Sequence, residues 1–420
     1  MKARYNYRIY PEQSQYVPIA KAMGCSRVVY NDAWWLYKNA ERNNTCRPTK
    51  ISSLVITQAK KTEERKWLSE VSSVVLQQSL RDLQTAWSNY FDSKSGKRKG
   101  KEVGKPKPKK KHGRQAIRFA SNAFSVHSQS VYLAKIGHVK TVFSRPLPSK
   151  PSSVTIIKDT IGRYFASFVV EIPEQIAPQT DNSCGIDLGL THFAILSTSE
   201  KIENPRLQKK MLRKIRSANR RLAKAKKDSN RRKKRKLRLA KLHAKVKDAR
   251  TDFLHKLTTR LVRENQALAV EDLNVSGMVK NRKLSRAISD AGWAKFKTML
   301  EAKCDKYGRD LTIVDRWYAS SQICSCCGKS GGKKELDVRE WSCLFCSTIH
   351  DRDINASRNL EQQIRWAGGQ SDQNKNERGA RRDAKRRQSA KQTMERKLRS
   401  QSEIAVCDEP LTTPIQLTLF

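Results

Sequence analysis

Residues 341–359 read WSCLFCSTIHDRDINASRN, and two kinds of chemistry meet in that stretch. Cys343 and Cys346 stand three apart, the spacing of a metal knuckle, and Asp351 and Asp353 follow within seven residues. The chain around them carries 86 Lys and Arg against 40 Asp and Glu, a formal net charge of +46. In so basic a protein two close acids have two uses. They are neutralised, in ion pairs or as the cap of a helix that starts near INASRN, or they hold a divalent cation where a phosphodiester is cut.

An upstream pair completes the cysteine pattern. Fifteen residues separate Cys324-Ser-Cys-Cys327 from Cys343-Leu-Phe-Cys346. Two thiolates three apart reach one point from a tight turn, and two such pairs close a tetrahedral zinc site of the ribbon type. Cys326 is the spare, because using it would shorten the first knuckle to CxC, and Gly328 eases the turn after Cys327. Four thiolates leave no open position, so the zinc at Cys324, Cys327, Cys343 and Cys346 is structural. Cys25, Cys46, Cys184, Cys304 and Cys407 have no comparable spacing and read as ordinary thiols.

The 420 residues allow two or three domains. The charge calls for a polyanionic partner, since neutralising phosphates and releasing their counterions rewards a wide basic surface. Membrane surfaces also attract basic segments, but there is no apolar run of spanning length and no lipidation signal, so no membrane partner is expected, and MKARYNYRIYPEQ lacks the apolar core of a signal peptide. Paired cysteines then belong to a reducing compartment and serve metal before disulfides.

RYNYRIY alternates as a strand, and residues from Pro11 to about Phe91 turn helical, with Leu76, Leu80, Leu83, Trp87 and Phe91 on one stripe. The Gly-, Pro- and Lys-rich segment 94–114 is a solvated linker, and 117–172 is strand-like, ending in a hairpin turned at Asp159–Gly162. GIDLGLTHFAILST gives two buried strands. Residues 206–250 hold 22 Lys and Arg and two acids, and read as two basic helices joined at Asp228–Asn230, with Leu207, Met211, Leu212, Leu222, Leu237, Leu239 and Leu242 as apolar anchors. QALAVEDLNV and LTIVDRWYA are strands, 286–308 is one amphipathic helix, and another runs from Asn355 to about Trp366. Beyond Gly368 the composition predicts a basic tail without order.

Asp187 sits in GIDLG and Glu271 ends ALAVE, each beside apolar residues where a lone charge is costly. Each alone reads as a salt bridge, a cap or a metal ligand. Together with Asp353 they are a set able to converge on paired divalent ions, which activate water and stabilise a leaving oxygen.

GIDLGLTHFAI, DFLHKLTTRLVRE with LAVEDLNVSGM, ISDAGW, and SSQICSCCG followed by VREWSCLFCSTIHDRDINA together resemble the TnpB family, transposon-encoded RNA-guided DNA endonucleases related to the type V CRISPR effectors. RIYPEQ with GCSRVVYN, and WLSEVSSVVLQQSL, resemble that family's amino-terminal half, so the match spans about residues 1–366. The resemblance implies a multi-domain α+β protein. Its RuvC-like nuclease domain of RNase H fold takes residues 181–322 and 349–366, with a zinc ribbon inserted at 323–348. A strand-rich wedge domain takes 1–10 and 112–180 and a helical recognition domain 11–111; the basic tail, 367–420, carries no family signal.

The same resemblance makes Asp187, Glu271 and Asp353 the catalytic, magnesium- or manganese-binding acids, and selects Glu271 over Asp272 and Asp353 over Asp351, which caps or orients. Ser347 departs from the glycine the family often has after the last cysteine. Ser73 and Gln77, with Ser121 and Asn122, fall where the family reads a short duplex motif beside its target. Arg and Lys of 94–114 and 206–250, among them Arg231, Arg232, Lys233 and Lys234, are expected to grip RNA and heteroduplex backbones. The implied partners are one guide RNA transcribed from the transposon end and double-stranded target DNA, with a monomeric protein in the prokaryotic cytoplasm, at the nucleoid. Two other functions fit parts of this pattern. One is a catalytically silent guided DNA binder acting as a repressor. The other is a DDE-type transposase, against which the inserted ribbon and the lack of a helix-turn-helix signal weigh.

Overall fold

The computed structural model describes residues 1–369 apart from 44, 46–49, 99–101, 114, 174–176 and 336. Cys46, Cys407 and all of the expected tail from residue 370 lie outside the described residues. The described chain divides into two units, residues 1–172 and 173–369.

The first unit begins with β1 (Lys2–Tyr10), whose alternation buries Tyr7 and Ile9. Helices α1 (Gln13–Arg42) and α2 (Ser73–Lys94) follow, separated by short helical turns rather than by continuous helix. Six strands complete the unit: β2 (Gln115–Ala120), β3 (Phe124–Val126), β4 (Ser130–Leu133), β5 (Gly137–Val142), β6 (Ser153–Lys158) and β7 (Tyr164–Glu171). They form one antiparallel sheet in the order β2-β6-β7-β1-β5-β4-β3. The β6–β7 turn is tied by Asp159, whose Oδ1 accepts the N–H groups of Ile161 and Arg163 at 3.0 and 2.7 Å. Helices and sheet share one core, in which Ile19, Val29, Leu76 and Leu83 meet Phe119, Ile156 and Phe168. The expected helical and strand-rich parts therefore bury their apolar faces against each other. The unit ends at Ile172, eight residues before the expected boundary at 180.

The second unit opens with β8 (Ser183–Asp187), β9 (His192–Leu196) and β10 (Lys201–Glu203), then the basic helices α3 (Leu207–Ala223) and α4 (Asn230–Glu264). β11 (Ala267–Glu271) leads to α5 (Val275–Met278), α6 (Ser285–Ala291), α7 (Trp293–Tyr307) and β12 (Asp310–Val314). A small hairpin of β13 (Glu340–Ser342) and β14 (Ile349–Asp351) precedes α8 (Arg352–Gly369). The sheet order is β10-β9-β8-β11-β12, antiparallel through β8 and parallel from β8 to β12. That is the RNase H arrangement the sequence led us to expect. β8 and β11 are continuous apolar runs because parallel strands are covered on both faces.

Helix α8 lies directly on β8. A Cβ at Gly185 would stand 1.9 Å from the carbonyl oxygen of Ser357 and 2.5 Å from the amide nitrogen of Glu361, so glycine alone permits this approach.

Several expectations need correction. The helix expected over 286–308 is two, broken at Gly292, whose φ of +77° leaves the helical region. The strand LTIVDRWYA stops at Val314, where Asp315 accepts the N–H of Trp317 and starts a turn. Helix α4 runs on to Glu264, well past 250, and α8 starts at Arg352 rather than Asn355. None of the expected leucine anchors of 206–250 is fully buried and Leu237 is exposed, because α3 and α4 pack chiefly on each other. Burial falls instead on Ile215, Ala218, Ala225 and Val246.

Candidate active site and metal centre

Parallel register brings two of the acids together. Ile186 of β8 lies opposite Val270 of β11, so the next residues, Asp187 and Glu271, end neighbouring strands about 4.8 Å apart. Ligands of open α/β sheets gather at such carboxyl ends. Asp353 arrives from the first turn of α8, carried there by the Gly185 contact. Burial pushes the Asp187 carboxyl up to about 8, and the Glu271 and Asp353 carboxylates add to the rise. Burial first, and the two neighbouring carboxylates second, thus favour the protonated form of Asp187, and all three side chains offer the oxygen donors that hard divalent cations take. Glu271 is oriented by Ser320, whose Oγ donates to Oε1 at 2.7 Å, and Asp353 lies 3.4 Å from Arg339.

The neighbouring acids have other work. Asp351 Oδ1 accepts the N–H groups of Asp353 and Ile354 at 3.0 Å each, which caps α8. Burial alone would raise Asp351, but the Lys201 ammonium at 2.6 Å and those N–H groups hold it below the usual carboxylate range. Asp272 pairs with Lys297 and Arg316, which likewise lower it.

The cysteines form a compact tetrad. The sulfurs of Cys324, Cys327, Cys343 and Cys346 all lie within 4.8 Å of one another, and among the described residues no other group of His, Cys, Asp and Glu is gathered so tightly. The Cys324–Cys346 and Cys327–Cys343 separations are both 3.6 Å, close to the roughly 3.8 Å edge of a tetrahedron with 2.3 Å zinc–sulfur bonds. Each knuckle closes alike: Gly328 N–H donates to Cys324 O and Ser347 N–H to Cys343 O, both at 2.9 Å, with φ of +73° at Gly328 and +57° at Ser347. Cys326 is exposed and outside the group. Buried His350 approaches Cys324 Sγ through Nε2 at 3.0 Å and packs its ring on Trp341.

The ribbon is bound to α8 by residues that sequence reasoning missed. Asn355 donates to Ile323 O at 2.7 Å and accepts from Ser325 N–H at 2.8 Å. Asn359, one turn on, donates to Ser320 O and Ile323 O at 2.7 and 2.6 Å. Both asparagines are buried, and two amides four apart on the apolar face of a helix are a signal that the sequence does contain.

In the first unit, Ser73 and Gln77 are exposed one turn apart on α2, with Ser73 Oγ 2.7 Å from Lys60 Nζ. Ser121 and Asn122 are exposed in the helical turn between β2 and β3. In the second, Arg231, Lys233 and Lys234 are exposed, and no side chain of the first four turns of α4 is buried. Arg232 is engaged otherwise: its guanidinium donates to the carbonyls of Leu222 and Ala225 at 3.1 and 2.9 Å, closing the end of α3.

The family profile OrfB_IS605, described as "Probable transposase", matches residues 167–282, and a Cas12f1-like TNB domain profile matches 293–360. A Streptomyces pristinaespiralis protein named as an RNA-guided DNA endonuclease is 43% identical over 364 residues, 86% of this chain and 89% of its own. The chain belongs to the TnpB family. Another TnpB relative, Escherichia coli InsQ, also named as an RNA-guided DNA endonuclease, is 26% identical over 85% of this chain and 90% of its own. The fold is that of a solved Cas12f1–guide RNA–target DNA complex, with a TM-score of 0.53 at 13% identity, covering 84% of this chain and 83% of that one. A profile described as a helix-turn-helix domain matches residues 1–41 of this TnpB-family chain, which corrects the expectation that no such signal is present. The structure has a strand and one unbroken helix there.

Proposed function

We propose that this chain is an RNA-guided endonuclease that cuts double-stranded DNA beside a short target-adjacent motif, using Asp187, Glu271 and Asp353. The observation that carries the reading is the pairing of Asp187 and Glu271 on adjacent strand ends with Asp353 delivered by α8. Magnesium or manganese held by these three acids would supply Lewis acidity and a nucleophilic water at neutral pH. The chain's own part is to hold the acids in place: Ser320 orients Glu271, Asp351 fixes the first turn under Asp353, and the end of β8 holds Asp187 half-buried. Zinc on the cysteine tetrad keeps the segment that presents Asp353 folded. Residues 1–10 with 112–180 serve as wedge and 11–111 as recognition part, with Ser73, Gln77, Ser121 and Asn122 reading the motif.

The exposed basic faces of α3 and α4 grip a guide RNA transcribed from the transposon end, and one protein binds one RNA. Its place of work is the prokaryotic cytoplasm at the nucleoid, and no helix among the described residues is long and apolar enough to cross a membrane. The names of the relatives support the guided reading. A transposase is the second reading, favoured by the description of the matching profile. Sequencing the RNA that co-purifies with the protein, followed by cleavage of a plasmid library with randomised flanks, tests both. A guided nuclease leaves free ends beside one motif, and the three acid-to-alanine variants bind target without cutting it. A transposase joins ends and needs no RNA, and that outcome would overturn the proposal.

A further inference from the structure

Trp317 is 85% exposed, and it is held there. The indole offers more apolar surface than any other side chain, so leaving it in water forgoes the largest burial gain a residue can give. The turn that projects it is fixed on both sides. Val314 before it is buried at the end of β12, Asp315 Oδ1 accepts the Trp317 N–H at 2.8 Å, and Tyr318 packs on Val314 and Leu360. Trp317 makes no ring or cation contact among the described residues. Its neighbours tie the turn to the acids: Arg316 pairs with Asp272, next to Glu271, and Ser320 donates to Glu271 itself. A cleft of about 350 Å³ lined by Glu271, Arg316 and Lys297 opens at the same place.

We propose that Trp317 is a stacking platform for one nucleobase of the DNA strand whose phosphate enters the carboxylate site, and so a positioning residue for the cut. Every base has a π-face that a free indole can cover, whereas a paired and stacked duplex offers none in mid-helix. The ligand is therefore single-stranded DNA, and Arg316 and Lys297, which share the one carboxylate of Asp272, leave a net positive charge beside its backbone. The proposal rests on the guided nuclease reading, and the test separates the two.

Guide-loaded full-length protein is compared as wild type, Trp317→Ala and Trp317→Phe on a matched target. Trp317→Ala is expected to slow cutting about five- to hundredfold, the factor one base–aromatic stack supplies, while target binding is unchanged. Trp317→Phe should recover most of the rate. An abasic nucleotide beside the cut should cost the wild type the same factor and Trp317→Ala nothing more. Cutting by Trp317→Ala at the wild-type rate, or an equal abasic penalty in both proteins, would overturn the proposal and leave the nuclease reading standing. If the wild type cuts no DNA under a guide, the nuclease reading fails, and quenching of a 2-aminopurine single strand decides stacking alone. Quenching lost in Trp317→Ala upholds it, and equal quenching in the two proteins overturns it.

Discussion

Gly185 and the carbonyl oxygen of Ser357 are in such close contact that a Cβ at 185 would stand 1.9 Å from that oxygen. Backbone cannot yield as a side-chain tip can, so Gly185→Ala must push α8 off β8 and carry Asp353 away from Asp187. We expect a loss of roughly 1–3 kcal/mol in stability, the usual overpacking range, and near-complete loss of cleavage with guide binding retained. Thermal unfolding and single-turnover cutting measure the two effects.

Asp187 predicts a pH dependence. Its carboxyl stands at about 8 in the folded chain against 3.8 for the free group. The folded state therefore binds the extra proton between those values, and that contribution to stability, complete below pH 4, is lost as pH rises through about 8. Metal-free protein should melt lower at pH 8 than at pH 5.5, magnesium should stabilise it more at the higher pH, and Asp187→Asn should flatten both trends. Unfolding scans across pH with and without magnesium would show it.

One tightly held zinc per chain is expected from elemental analysis of fresh protein. Replacing Cys343 should remove it and weaken cutting, since the same ribbon root carries Asn355, Asn359 and Ser320 contacts into the carboxylate site. Cys326→Ser should retain the zinc.

Ser347 adopts a left-handed φ of +57° that glycine takes without strain. Ser347→Gly should stabilise the ribbon by about 0.5–1 kcal/mol, read as slower zinc loss to a chelator.

Reversing Arg231, Lys233 and Lys234 to Glu should weaken RNA binding and flatten its salt dependence, because these side chains are exposed and Lys233 gives up no more than a 3.3 Å contact with Asn230 Oδ1. Arg232→Ala should instead lower the melting temperature, since its guanidinium closes the α3–α4 turn. Salt titrations of RNA affinity beside unfolding scans distinguish the two roles.

The sheet was legible because SCGID and ALAVE are apolar runs that end in acids, and the ribbon because cysteine spacing fixes a metal knuckle. That Asp187 and Glu271 are neighbours was not, since sequence holds no record of parallel register. Strand alternation left Asp272 and Asp351 open and only the family motif set them aside; the structure adds their partners, Lys297 and Arg316 for the one and Lys201 for the other. Leucines of α3 and α4 misled for a related reason: periodicity marks an apolar stripe but not whether anything covers it. Ser320 and Asn359 escaped notice because single polar residues acquire meaning only from what they touch.

The carboxylate site joins the start of the second unit to almost the last residues described. A ribosome making this chain lays down β8 and β11 first, and the basic helices between them, long before Asp353 and the helix that bears it emerge. On the proposed roles of the basic helices and of Asp353, the growing chain would carry its grip on nucleic acid before the last group needed to cut any. Translation arrested inside the ribbon would release a chain that lacks both its third acid and the helix that covers β8, so no partial product would carry a finished carboxylate site.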